Sequence, residues 1–218
     1  MSTRYNPSIV RDNIVLYLDA ANTKSYPGSG TTWKDISGKG IDGTLTNGPT
    51  FDSGNKGSIV LDGSNDYIQL PTNSNLTFTG DFSYETWLMT DVQPASNHIW
   101  STPGDQTFQF NSGTIIYYST ITGGQSFGSL SNNTWTHYVI TRSGNTLTGY
   151  LNGAQAWTNT PNSSPTHNFS GLSIGYRTIS PAGFYWDGKF AAVRMYSKGL
   201  TSTEVQQNYN ALKGRFGL

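Results

Sequence analysis

The sequence predicts an all-β fold, a jelly-roll β-sandwich of two antiparallel sheets with one short C-terminal helix. Three observations predict it. The composition suits strands and turns; short apolar or alternating runs recur between glycine- and asparagine-rich breaks; and a helical period appears once, near the end. The chain has 25 glycines, 13 tyrosines and 6 tryptophans. Thr, Tyr and Trp fit a pleated, half-buried surface, and Gly and Asn supply the positive φ of turns. An aromatic content of 13% argues against a disordered chain, which would be poor in aromatics. A length of 218 residues is within reach of a single sandwich.

In order along the chain, residues 1–13 are polar and irregular and read as an arm, and the sandwich is expected over 14–218. Ile14 to Leu18 is an apolar run ended by Asp19. Ala20 to Gly57 reads as a long excursion pinned by Trp33, Ile36, Leu45 and Phe51. Ser58–Asp62 and Asp66–Leu70 read as a hairpin around Gly63-Ser64-Asn65. Asp81 to Met89 alternates, with Phe82, Tyr84, Thr86 and Leu88 on one side and Ser83, Glu85, Trp87 and Met89 on the other. Short strands follow near His98–Trp100, Gln106–Phe110 and Thr114–Tyr118. Trp135–Thr141, Leu147–Leu151 and Ala154–Trp157 form a meander whose second turn is Asn152-Gly153, the strongest short hairpin signal. Leu172–Tyr176 and Lys189–Tyr196 are the last strands. Thr201 and Glu204 then make a capping box, Val205, Tyr209 and Leu212 repeat at helical spacing over about 202–212, and Gly214 is the expected stop.

Charge excludes several functions. Only 12% of residues are charged, against a usual ~25%, and 13 basic residues cancel 13 acidic ones. There is no basic footprint for nucleic acid and no polybasic stretch for a membrane surface. No apolar segment is long enough to span a bilayer. Cysteine is absent, which removes disulfides and thiolate chemistry. Residues 1–13 hold no apolar signal-peptide core, yet the low-charge composition suits an extracellular protein. Release by lysis within a virus particle would reconcile the two.

Several segments, taken together, carry a resemblance. They are Leu61-Asp62-Gly63-Ser64-Asn65-Asp66-Tyr67-Ile68, Asp81 to Trp87, Asn133 to Val139, Gly149 to Gly153, and Trp186 to Tyr196 followed by Leu200-Thr201 and Glu204-Val205. Their order and spacing over most of 14–212 resemble the laminin-G-like members of the concanavalin A-like lectin/glucanase superfamily. Leu16 to Asn22 and Lys213 to Leu218 further resemble laminin-G-like structural proteins of tailed phages, particularly those of marine cyanobacteria. The resemblance implies two packed sheets, a sugar or protein ligand at one face or rim, and in many members a calcium ion in edge loops. One departure matters: the acidic pair usual before the last strand's Val-Arg stretch is replaced by Ala191 and Ala192.

Each candidate site has a bland competitor. Glycosidases need two carboxylates across the scissile bond, and superfamily enzymes carry them as Glu-x-Asp-x-x-Glu. This chain has only Glu85 and Glu204; Glu204 belongs to the helix cap, and Glu85 has no acidic neighbour at i+2 or i+3. His98, His137 and His167 lack a Ser/Asp partner pattern, so no catalysis is expected. Calcium candidates are Asp62, Asp66 and Asp187, with Asp19 and Asn65 in support; the competing role for Asp62 and Asp66 is Asx-type capping of a turn. Carbohydrate-binding candidates are Trp100, Tyr117, Trp157, Tyr176, Tyr185 and Trp186, with Tyr118 beside them, and their competing role is core packing. Trp33, Trp87 and Trp135 read as core. The expected function is a non-catalytic virion structural protein (decoration, fibre or appendage subunit) that self-associates or binds other virion proteins, with a role in adhesion to a host glycan. The alternative is a free extracellular carbohydrate-binding module; a glycoside hydrolase is a distant third.

Overall fold

The computed structural model describes residues 8–91, 96–104, 106–111, 114–119, 123–160, 166–179 and 182–218. Two antiparallel sheets of eight strands form the expected sandwich. The first runs Ala154–Asn159, Thr146–Leu151, Thr136–Ser143, Phe82–Thr90, Asp187–Tyr196, Ser58–Asp62, Thr50–Asp52. Asp187–Tyr196 is long enough to divide one edge, pairing first with Ser58–Asp62 and then with Ile14–Asp19. The second sheet runs Gly123–Ser129, Thr114–Ser119, Thr107–Asn111, Ser96–Ser101, Ser173–Ile174, Tyr67–Gln69, Gly43–Thr46, Thr32–Trp33. Leu18, Phe82, Tyr84 and Phe190 of the first sheet meet Ile68, Trp100, Phe108 and Tyr117 of the second in one buried cluster. Burying each such side chain stabilises by roughly 1.5–3 kcal/mol.

The outward side of the Phe82–Thr90 strand is covered as well, so all nine of its residues are buried. The cover is the C-terminal helix, Ser202–Leu212, and the turn after it. Trp87 stacks on Tyr209 at 5.7 Å and on Phe216 at 4.4 Å, and Trp135 lies 4.7 Å from Phe216. The helix begins as the sequence requires: Thr201 Oγ1 accepts from the Glu204 amide at 3.2 Å, and Glu204 Oε2 accepts from the Thr201 amide at 2.9 Å. It does not stop at Gly214. The chain tightens into a 3-10 turn, Lys213–Arg215, and the left-handed residue is Gly217, at φ 75°.

Turn chemistry explains most of the connections. Asn152 (φ 49°) and Gly153 (φ 79°) both take the left-handed conformation, and the three-strand meander forms as expected. The expected Ser58–Leu70 hairpin does not form. Ser58–Asp62 stays in the first sheet while Tyr67–Gln69 joins the second. Asp62 Oδ1 caps the corner by accepting from the amides of Ser64 (2.9 Å) and Asn65 (3.4 Å), and the Gly63 amide donates to Trp186 O at 3.1 Å. The alternation of a strand is the same whether it returns beside its predecessor or crosses to the facing sheet, so the pattern could not separate the two.

Part of the expected arm, 1–13, lies among the described residues. Residues 1–7 lie outside the described residues, but Ile9 and Val10 are buried. The Val10 amide donates to Asn208 Oδ1 at 2.7 Å, and Gln207 Nε2 donates to Ser8 O at 2.7 Å, which fastens this segment to the helix. In the 20–57 excursion Trp33 and Leu45 are buried and Phe51 packs against the core. Buried Asp35 organises its path by accepting from the amides of Tyr17, Ser37 and Ile41 at 2.9, 2.8 and 3.1 Å.

Candidate functional site

One loop carries several exposed or half-buried aromatic rings. The Ser173–Ile174 strand ends at Gly175, which is left-handed (φ 81°) and has no room for a Cβ against Leu61. Beyond it the chain leaves the sheet in a loop closed by paired backbone bonds between Arg177 and Gly183, at 3.0 and 3.2 Å. Ser101 anchors the loop: its Oγ donates to Tyr176 O and accepts from the Thr178 amide, both at 2.9 Å. The chain returns at Phe184, whose carbonyl accepts from the His98 amide at 3.0 Å.

This path assembles a ladder of half-buried tyrosines. The rings of Tyr67 and Tyr176 are 5.0 Å apart, and those of Tyr176 and Tyr185 4.9 Å apart and nearly parallel. Burial, then the neighbouring Tyr176 and Tyr67, push the Tyr185 hydroxyl above its ordinary value. Phe184, next to Tyr185 in the chain, is 37% exposed and sits at φ 57°, an uncommon conformation for a bulky residue. The Arg177 guanidinium lies 5.7 Å from its ring centre and His98 5.9 Å. Burial, and secondarily Arg177, lower His98 to about 4, so it is neutral at pH 7.

The other expected sugar contacts fall elsewhere. Trp100, Tyr117 and Trp186 are fully buried and have no surface to offer a ligand. Trp100 packs on Tyr84 and Phe169, and Trp186 Nε1 donates to Met89 O at 3.3 Å. Half-buried Trp157 is on the Ala154–Asn159 edge strand, stacked on Tyr117 at 6.2 Å. Tyr176 and Tyr185 are thus the expected residues that meet, and Tyr67 and Phe184 are the ones sequence reading missed. Tyr118 is 38% exposed on another strand.

The acidic candidates share the Gly63 corner. Asp62 and Asp187 are cross-strand partners, and Asp66 is 4% exposed. Amide bonds, the Ser64 amide foremost, hold the Asp62 carboxyl below its ordinary value. Burial raises Asp66, with Asp62 adding to it, and burial raises Asp187, with Asp91 and Asp62 adding to it. Among the described residues no three acidic or histidine side chains are grouped to hold a metal ion. Asp19 is committed elsewhere, to Arg215 at 2.9 Å. Ala191 is packed with Trp87, Trp135 and Phe216, where a carboxylate would be stranded without water.

Glu85 is completely buried beneath the helix. Its Oε1 accepts from Arg194 Nη1 at 2.5 Å and lies 3.0 Å from His137 Nε2; its Oε2 accepts from Asn208 Nδ2 at 2.7 Å and from the Tyr196 hydroxyl at 3.3 Å. Glu204 is held by the helix cap and by Lys198 at 2.6 Å. Both glutamates therefore hold the helix and its seat.

With fold and rim described, the chain's membership is clear: it belongs to the concanavalin A-like lectin/glucanases superfamily, its residues 62–206 matching the third laminin-G family model. Among solved structures it is similar to the binding domain of Paraclostridial Mosquitocidal Protein 1, with TM-score 0.73 and 17% identity over 92% of this chain and 52% of that one. It is also similar to Trypanosoma rangeli sialidase in complex with 2,3-difluorosialic acid, with TM-score 0.72 and 15% identity over 93% of this chain and 33% of that one. A third is the W1252A mutant of HCR D/C VPI 5995, with TM-score 0.71 and 14% identity over 93% and 53%. The chain spans about half of the first and third and a third of the second, and at such identities the likeness is one of fold. No curated protein matches it. Among the described residues no helix is long and apolar enough to cross a membrane.

Proposed function

We propose that this is a non-catalytic binding domain that holds a carbohydrate against the rim formed by Tyr67, Tyr176, Tyr185 and Phe184. The observation that carries the reading is the tyrosine ladder, with ring spacings of 5.0 and 4.9 Å and partial exposure of all three rings. Sugars present C–H faces that pack on such rings, while their hydroxyls bond to neighbouring polar groups, here including Thr178. The commitment of Glu85 and Glu204 to the helix supports a binding role over a hydrolytic one. The likeness to a toxin's binding domain agrees with it. The test is a glycan array followed by titration of the hits. Tyr176→Ala is expected to weaken binding by roughly tenfold, about 1.4 kcal/mol, with the melting temperature little changed. Calcium at Asp62, Asp66 and Asp187 is a separate question for the same titration. Binding is expected to survive chelator, because Asp62 already serves the corner; a calcium requirement would return the metal to these acids.

The virion-subunit reading is retained as a second one, because two neighbouring edge strands are undefended. Gly123–Ser129 and Ala154–Asn159 contain no charged residue and no proline, and their rings meet where Phe127 and Trp157 are 5.4 Å apart. Edges of that kind accept a neighbour's strand. Light scattering distinguishes the readings: a monomer is expected of a free binding module, and a stable oligomer would make the domain a subunit of a larger particle.

A further inference from the structure

We infer that the ligand of this rim carries an oxyanion, a carboxylate or sulfate group on the sugar, which Arg177 receives. The inference rests on the rim reading proposed above and narrows it to acidic glycans. The chain supplies partners to its other inward-turned arginines. Arg142 Nε donates to Gly144 O at 2.9 Å, Arg194 pairs with Glu85, and Arg215 pairs with Asp19. Arg177 is treated differently. Among the described residues no carboxylate pairs with it; its buried Nε has no acceptor, as is also true of Arg194 Nε and Nη2. Leaving a buried charged donor unmatched is costly, and only 13 residues of this chain are basic.

Its position is also fixed. The Arg177 backbone is bonded twice to Gly183, and the guanidinium lies over the Phe184 ring. A guanidinium held over a ring face leaves its outer N–H donors, those on the two Nη atoms, for an oxyanion. Phe184 bears the cation while holding a left-handed backbone, and it is one of few large apolar side chains left exposed among the described residues. His98, the other ring against Phe184, is buried and adds no competing charge. Of the acids at the Gly63 corner, Asp62 is bonded to the turn amides, and none forms an ion pair with Arg177. Arg177 and Phe184 are the chain neighbours of Tyr176 and Tyr185, so the cation is carried on the loop that holds two rings of the ladder.

The experiment uses matched pairs of oligosaccharides, titrated against the full chain. One pair is a galacturonate oligomer and its methyl ester; the other is a heparin-derived hexasaccharide and its desulfated form. The acidic member of at least one pair is expected to bind about tenfold tighter or more, with the difference shrinking as salt is raised. The pair that responds identifies carboxylate or sulfate as the source. Arg177→Gln is expected to bring acidic and neutral members to the same affinity without lowering the neutral one, and Arg177→Lys to restore part of the preference. Equal affinity for both members in the unmodified protein, or an undiminished preference in Arg177→Gln, overturns the anion assignment and leaves the rim reading standing. Failure of all four to bind, on a protein whose array shows no glycan, ends both.

Discussion

Replacing Glu85 with alanine is expected to cost about 3–5 kcal/mol, because it strands Arg194 as a buried unpaired cation. For a chain of this size that is a fall in melting temperature of roughly 10 °C. The loss is not confined to one ion pair: Asn208 on the helix and Tyr196 on the sheet lose their shared acceptor together. Replacing both charges, as Glu85→Leu with Arg194→Met, is expected to recover much of the loss. The same carboxylate gives an acid dependence. Burial alone would raise Glu85, but Arg194, His137 and Asn208 outweigh it and hold the group at about 2, below its ordinary 4.5. Its contribution is therefore complete above the ordinary value and drains away as pH falls toward the folded one. Urea midpoints taken across that window are expected to fall more steeply for the native chain than for Glu85→Gln. Parallel curves would mean that Glu85 is not held ionised.

Gly188→Ala is the second large effect. Gly188 sits at φ 149° near the start of the Asp187–Tyr196 strand, paired with Thr90. A Cβ there would overlap the Met89 carbonyl and stand 2.8 Å from Trp186 Nε1 and 2.9 Å from Thr90 Cα. Two of these three obstacles are backbone of a central strand, which cannot yield without breaking its own pairing. A loss on the order of 3 kcal/mol is expected from strain and overpacking, read as a shift in denaturant midpoint. Gly149→Ala is the comparison. The three atoms nearest its Cβ would all belong to the indole of Trp157, a half-buried side chain on an edge strand, and none to backbone. Its loss is expected to be clearly smaller.

How far the fold was legible depended on where its causes lay. Asn152-Gly153 and the Thr201–Glu204 cap act through local backbone geometry, and both appear in the structure as written in the sequence. The Gly63 corner did not, because sheet membership is decided by long-range pairing. The Gly123–Ser129 strand was missed because its three glycines and two serines present no alternation. Burial was the harder quantity for the site. Trp100 and Tyr117 lie on strands where sequence shows two faces, and nothing local says which one is covered. Trp186 lies in a glycine-flanked aromatic stretch, Gly183 to Gly188, that looked like a loop, yet it is core. Tyr67 joins Tyr176 and Tyr185 only because two distant segments share a sheet end, and Phe184's left-handed backbone has no signature in its neighbours.

The cover over the Phe82–Thr90 strand has a consequence for how the chain is made. Glu85 finds Arg194 across 109 positions, and Asn208 across 123. A ribosome therefore delivers the central strand long before it delivers the strand and helix that neutralise and enclose it. Until then Trp87, Trp135 and the carboxylate lack their cover on a sheet with open edges, a state of high contact order that forms slowly and invites association. Chaperone demand and the yield of soluble protein should thus depend on the Asp187–Tyr196 strand and the helix that follows it.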